Sequence, residues 1–451
     1  MPKTDKYLII NGTVVNADES MQADVAISGG KIEAVGRMNP ADFPDFKVIE
    51  AEGRYLIPGG IDPHVHFALP TPAGCSSDDF VTGSKAALAG GTTSVIDFVT
   101  PERGQSLPEA LELRRTEARE SLCGWKLHMG ISEWNKRVSE EVRRCIRYEG
   151  ITSFKTYLAY RDTIGISMNE LEQLMRVAGP EGGTVLVHCE DGEMISRLQK
   201  QYIASGKTRA AFHALSRPVA AEVNAIRKVI DLSEKTGCPV YIVHVSTGEG
   251  AGAIREAKEK GLKVFGETCI QYLILNNSVY DASLPDRQVL PYVISPPLRP
   301  EPERLKLWDE LSRGAFDTVS TDHCPFNLHG QKDRGINDFT KIPGGAGGIE
   351  FRLSLLFTFG VLEKKISLNQ FVSLTSHRAA AIFGWGDTKG KIAAGFDADL
   401  VIWNPDKEWM ISAKEQYQRC DSNIYEGIKV KGLAEKVFIS DSRYCNPDLR
   451  V

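Results

Sequence analysis

Asp62-Pro63-His64-Val65-His66 places two histidines at i and i+2, and on a strand such a pair points to one face. Neutral imidazoles so arranged suit a divalent metal such as zinc. Taken alone, the pair also fits two histidines in a core or on a surface. The other candidates separate these readings. His188 closes the run Thr184-Val185-Leu186-Val187, His244 closes Val240-Tyr241-Ile242-Val243, and Asp322 follows Asp317-Thr318-Val319-Ser320-Thr321. Each stands at the carboxyl end of its own apolar run, the face on which barrel enzymes place their chemistry. A structural histidine has no reason to recur there. The set offers a site for one or two metals, with Asp322 as a ligand or a proton carrier.

Lys155 follows Phe154 in another such run. Phe suits a helix-facing position, so alternation turns the lysine towards the barrel centre. Such a lysine either snorkels to solvent or, deprotonated, adds carbon dioxide to give an anionic carbamate with two oxygens. An ammonium beside divalent cations is electrostatically untenable. His213, His329 and His377 fall in predicted helix or loop and read as surface or capping residues. His128 ends a strand-like run and reads as a neighbour behind the ligands. Cys189 and Cys324 each follow a candidate ligand, and alternation points them away from it.

The elements that position these residues are short apolar runs separated by longer amphipathic stretches. The runs are 60–66, 93–98, 126–129, 153–158, 184–188, 240–244, 263–267 and 317–321. Between many of them the spacing predicts helices, for example over 79–89, 107–120, 220–235 and 248–260. This alternation is that of an α/β chain, a TIM-type (β/α)₈ barrel. A doubly wound open sheet is disfavoured because no Gly-x-Gly-x-x-Gly follows the first strand. Both ends of the chain read as β structure. Tyr7–Ile10, a turn at Asn11-Gly12 and Thr13–Val15 come first. Asp24–Ile27 and Lys31–Val35 flank the hairpin signal Ser28-Gly29-Gly30. Ala398–Trp403 and Lys436–Ile439 are the late strands. The expected division is a small β-sandwich domain from both termini (1–55 plus 393–451) around a hydrolase barrel (56–392).

The chain of 451 residues is long enough for such a barrel and an accessory domain. At 42% hydrophobic and 25% charged it has a soluble globular composition. It carries no apolar run of about 18 residues and no apolar stretch after the charged start Met1–Lys6, so neither a membrane span nor a secretory signal is expected. The net charge of −5, with no basic run, argues against a nucleic-acid partner. Nine scattered cysteines without a Cys-x-x-Cys pair read as reduced thiols, and the expected location is the cytoplasm.

Taken in order, these motifs resemble the cyclic amidohydrolases, most closely the dihydropyrimidinase and D-hydantoinase group. The resemblance runs from Asn11-Gly12-Thr13-Val14-Val15 through Pro58-Gly59-Gly60-Ile61-Asp62-Pro63-His64-Val65-His66 and Phe154-Lys155-Thr156-Tyr157-Leu158-Ala159-Tyr160. It continues through Val187-His188-Cys189-Glu190-Asp191, Glu267-Thr268-Cys269, Ser295-Pro296-Pro297 and Thr321-Asp322-His323-Cys324-Pro325-Phe326. It implies a first metal on His64, His66 and Asp322, a second on His188 and His244, and a carboxylated Lys155 bridging them. The ions would be zinc, with manganese, cobalt or iron as alternatives, and a hydroxide between them would attack the ring carbonyl. Asp322 would then carry the proton to the leaving nitrogen, Tyr160 would donate to the oxyanion, and Ser295 would hold the small cyclic amide. The resemblance also implies a homo-oligomer, a tetramer or a dimer. Hydantoinases usually have Pro-Asn-Gly where this chain has Pro343-Gly344-Gly345. Gly344 still offers a backbone contact, and the Gly-Gly pair also looks like allantoinases. The end at Val451 lacks the longer tail that helps tetramers form in the group. Dihydroorotases, a further alternative, carry an arginine close after the histidine pair, where this chain has Phe67-Ala68-Leu69-Pro70. Non-catalytic scaffold relatives have lost metal ligands, whereas every one is present here.

Overall fold

The structure, a computed structural model, describes residues 6–440. The charged start before Lys6 and the end at Val451 lie outside the described residues. Eight parallel strands follow one another round a barrel: β6 (Gly60–Val65), β7 (Thr92–Val99), β8 (Gly124–Gly130), β9 (Ser153–Tyr157), β10 (Thr184–His188), β11 (Val240–Ile242), β12 (Val264–Cys269) and β13 (Thr318–Ser320). The ring closes where Val65 bridges His323 and the His66 amide donates to the His323 carbonyl at 2.8 Å. Arg352, wholly buried, bolts this seam by donating to the Ile61 carbonyl on β6 and the Val319 carbonyl on β13. All eight apolar runs of the sequence are barrel strands, and the expected helices appear as Phe80–Ala89, Leu107–Ala118, Val219–Thr236 and Gly248–Glu259.

Side-chain alternation divides the barrel into two layers. Val185 and Val187 of β10 and Val240 and Ile242 of β11 join the outer core under the helices. Leu186, Tyr241, Ile61, Ile96 and Phe98 fill the interior with Ala379, Ala380 and Phe383. Phe154 packs in the outer core as its alternation with Lys155 requires. The interior is therefore a solid apolar plug, and the polar residues at the carboxyl ends of the strands sit on it.

The terminal segments form a separate mixed sheet of seven strands. Its members are β1 (Tyr7–Val15), β2 (Ser20–Ser28), β3 (Lys31–Gly36), β4 (Lys47–Glu50), β5 (Tyr55–Pro58), β14 (Leu400–Met410) and β15 (Lys429–Phe438). Strand β1 gives its first half to β4 and its second half to β5, so the sheet forks there. The Gly29-Gly30 turn joins β2 and β3 with both glycines at positive φ, as the hairpin signal predicts. Asn11-Gly12 is not a turn, however. It is a bulge inside one continuous strand, with Asn11 at φ 62, and a Cβ on Gly12 would stand 2.8 Å from Leu56 Cγ. The pattern of a turn dipeptide is met, but close packing on β5 sets its use. Among the described residues no helix is long and apolar enough to cross a membrane.

Candidate metal centre

His64, His66 and Asp322 meet at the carboxyl rim of the barrel, with one ligand atom from each lying within 4.8 Å of the others. Asp322 Oδ1 stands 3.2 Å from His64 Nε2 and 3.1 Å from His66 Nε2. Behind them Glu267, at the rim on β12, fixes His64: its Oε1 is 2.6 Å from His64 Nδ1 and also accepts from the His244 amide at 2.9 Å. With the His64 ring proton on Nδ1 towards Glu267, Nε2 presents a lone pair to a carboxylate. That arrangement is repulsive unless a cation lies between them. His188 and His244 stand beside them, the His244 ring centroid 5.4 Å from that of His64. His188 Nδ1 is 2.9 Å from His244 Nε2, and His188 Nε2 is held by Glu190 Oε2 at 2.7 Å.

His64 Nε2, His66 Nδ1, His244 Nδ1 and Lys155 Nζ are buried and make no hydrogen bond. Lys155 is 1% exposed, and its Nζ lies 4.9 Å from the Tyr157 ring centroid and 5.3 Å from that of Phe98. It does not snorkel. Burial lowers its amine to about 8, within reach of the neutral form at ordinary pH. Burial also pushes His64 and His244 well below the usual imidazole range, so both rings are neutral at pH 7 and carry a lone pair. Burial tends to raise Asp322, but His64, His66 and Lys155 outweigh it and hold the carboxyl at about 2. Burial carries Glu267 up to about 7 against the hydrogen bonds from the His244 amide and the Tyr241 hydroxyl. Buried imidazoles gathered with a carboxylate at one rim, several of their nitrogens without a hydrogen bond, fit a divalent cation better than any protein-only arrangement.

Tyr160, His244 and Asp322 have φ values of 57°, 41° and 52°, the left-handed region that side-chain-bearing residues avoid. Three such residues at strand ends around one centre are backbone strain held in place by their surroundings. A cleft of about 830 Å³ opens beside the centre, lined among others by Tyr160, His213, Arg217, Ser295, Ile342 and Gly344. The expected substrate contacts thus share one wall. A Cβ on Gly344 would lie 3.3 Å from Ser295 Oγ, so glycine leaves room there.

Several residues sit differently from the expectation, or escaped it. His213 is not a surface or capping residue: it is buried, donates from Nε2 to the Ile294 carbonyl at 2.9 Å, and lines the cleft. The short helix Phe212–Leu215 folds inward over the barrel, which no local pattern announces. Leu158, two residues before Tyr160, packs into the outer core. His128 lies behind the ligands as expected, wedged between Ser153 Oγ at 2.7 Å and the Pro63 carbonyl at 3.0 Å. Cys189 and Cys324 are buried away from the ligand atoms. Glu267, Glu190 and Arg217, which bond His64, His188 and Tyr160 in turn, are the neighbours that strand ends alone leave without a role.

The amidohydrolase family's sequence profile matches residues 55–442. The D-hydantoinase of Geobacillus stearothermophilus is 42% identical over 426 residues, covering 94% of this chain and 90% of its own. The dihydropyrimidinase of Dictyostelium discoideum is 39% identical, covering 97% of this chain and 87% of its own. Among solved structures, the dihydropyrimidinase from Brevibacillus agri NCHU1002 superposes with a TM-score of 0.94 at 42% identity, covering 96% of this chain and 94% of that one. The L-hydantoinase (dihydropyrimidinase) from Arthrobacter aurescens gives 0.86 at 26% identity, over 97% of this chain and 95% of that one. Fold and rim together define a barrel hydrolase. The chain belongs to the amidohydrolase family and, within it, to the cyclic amidohydrolases of the hydantoinase and dihydropyrimidinase group.

Proposed function

We propose that this chain hydrolyses the ring amide of hydantoins or dihydropyrimidines. The observation that carries the proposal is the convergence of His64, His66 and Asp322 beside the unpartnered Lys155. His64, His66 and Asp322 would hold one divalent ion and His188 and His244 a second. Zinc is the first choice, and manganese, cobalt and iron suit the same donors. Lys155 would serve as its carbamate: the neutral amine adds to carbon dioxide, the N–C bond forms, and the amine proton leaves. Bound ions would polarise the ring carbonyl and bring the pKa of water to about 7, which makes hydroxide available at neutral pH.

The chain's own residues do the rest. Asp322 accepts the proton of the attacking water on a carboxylate oxygen and delivers it to the ring nitrogen as the C–N bond breaks. Tyr160 donates its phenol proton to the carbonyl oxygen as that oxygen gains charge, and one such donor is worth about 3 kcal/mol of barrier. Ser295 and the backbone at Gly344 hold the ring against the cleft wall. A homo-oligomer, dimer or tetramer, is the assembly we propose for the chain.

The test is a panel of rings given to purified, metal-loaded protein: dihydrouracil, hydantoin, 5-substituted hydantoins, allantoin and dihydroorotate. A dihydropyrimidine or a hydantoin is expected to open fastest. Fast turnover of dihydroorotate alone would overturn the substrate assignment. Allantoin is the second reading, favoured by the space that Gly344 leaves beside Ser295, and its preferential opening would select it.

A further inference from the structure

Arg217 stands in the turn between the helices Phe212–Leu215 and Val219–Thr236 and is 2% exposed. Its guanidinium is forked across two partners. One terminal nitrogen bonds Glu190 Oε2, the same oxygen that holds His188 Nε2. The other donates to the Tyr160 hydroxyl at 2.9 Å, with the guanidinium carbon 5.1 Å from the centre of the Tyr160 ring. Glu190 is wholly buried. Arg217 is therefore anchored on a carboxylate shut off from water and shared with His188. Tyr160 needs an anchor, since it is 38% exposed and leaves β9 in a left-handed backbone conformation.

The chemistry of the fork decides the direction of the tyrosine's proton. A guanidinium has five donors and no acceptor. At this contact the phenol oxygen must therefore accept, and its own hydrogen turns elsewhere, to the side where Ser295 and the cleft lie. Without Arg217 the hydroxyl is free to rotate, or to accept from water, and to present a lone pair to the substrate. The fork also places positive charge beside the phenol oxygen, which makes its O–H a stronger donor.

We infer that Arg217 is a positioning residue that fixes Tyr160 as a hydrogen-bond donor facing the ring carbonyl, and that Glu190 ties this setting to His188. The inference rests on the proposed role of Tyr160, and the experiment separates the two. Tyr160→Phe, Arg217→Lys, Arg217→Gln and the double variants are loaded with zinc, and kcat, KM and metal content are measured on the best ring. Arg217→Lys keeps a cation beside Glu190 but loses the planar fork, and so guards against a loss of fold. Expected are a fall in kcat of about tenfold or more for Arg217→Lys, with KM changed less and metal content at the wild-type level. In the Tyr160→Phe background the same substitution should cost less than about threefold, because the donor it sets is gone. Equal losses in both backgrounds, or wild-type kcat in a metal-replete Arg217→Lys, would overturn the inference while leaving the tyrosine's role intact. A Tyr160→Phe variant with unchanged kcat would overturn the role of Tyr160 itself.

Discussion

Asp322 faces both His64 and His66 through a single oxygen, Oδ1. A carboxylate used in this way can hold an ion and still move a proton, and the two duties separate on substitution. Asp322→Asn keeps the shape and one oxygen but cannot take the proton. We expect kcat to fall by about 10² to 10⁴, with a much smaller loss of metal, read by elemental analysis of the same samples. Lys155 makes the complementary prediction. Lys155→Ala removes the buried amine and should leave at most one ion per chain, and a short carboxylic acid added with metal should restore part of the second. A variant that keeps two ions would show that the lysine is not a bridge. At this scale one rule is legible in the sequence, a polar residue closing an apolar run, and the fold brings His64, His66 and Asp322 together. Applied evenly, the rule also reaches Glu267, which closes the run 263–267 and sits behind His64. Glu190 lay open to the i, i+2 argument from His188. Arg217 did not: it comes from a turn between helices, and only the folded chain brings it to Tyr160.

The elements hold these residues through contacts that tolerate little change. Helix Phe80–Ala89 is capped by Asp79 and Thr82 and presses Gly83 on Phe67, the residue after His66. A Cβ at Gly83 would stand 2.2 Å from Phe67 Cε1. Gly83→Ala should therefore cost about 1–3 kcal/mol through overpacking, seen as a lower urea midpoint. Because the strain falls on the residue beside a ligand, metal affinity should drop with it. Unchanged stability would mean that the helix can slide without cost. The barrel strands were legible because apolar runs of this length alternating with amphipathic stretches leave few alternatives. Strand ends were less so. β14 runs to Met410 and β15 starts at Lys429, well past the apolar cores of 398–403 and 436–439, because their outer halves are half-exposed and carry charge.

At the scale of the whole molecule, buried imidazoles set the response to acid. Burial holds His128 and His213 at about 3. Between pH 6.5 and 3 the unfolded chain binds a proton at each and the folded chain does not, so stability falls as pH drops through that window. The slope is about 1.4 kcal/mol per pH unit for each histidine. His128→Gln should reduce the proton uptake on unfolding by about one, measured from the pH dependence of the urea midpoint in metal-free protein. A slope identical to wild type would show that His128 is protonated in the fold. Metal removal should lower the melting temperature, and zinc should restore it in a concentration-dependent way, since an ion held only by the folded rim stabilises by mass action.

The terminal sheet has a consequence for how the protein is made. Strand β5 leads through the single residue Gly59 into β6, which carries Asp62 and His64, and β5 lies between β1 and β14. The partner β14 begins roughly 340 residues later in the chain. At about 5–20 residues per second, a ribosome delivers it some 20–70 s after β5 has emerged. During that interval one edge of β5 is exposed, next to the strand that opens the barrel, and an exposed edge invites pairing with the wrong chain. The nascent protein is thus most vulnerable through its earliest strands, and chaperone protection during synthesis should matter until the last strands arrive. Heterologous yield should depend more on the rate of translation and on temperature than the stability of the finished molecule would suggest.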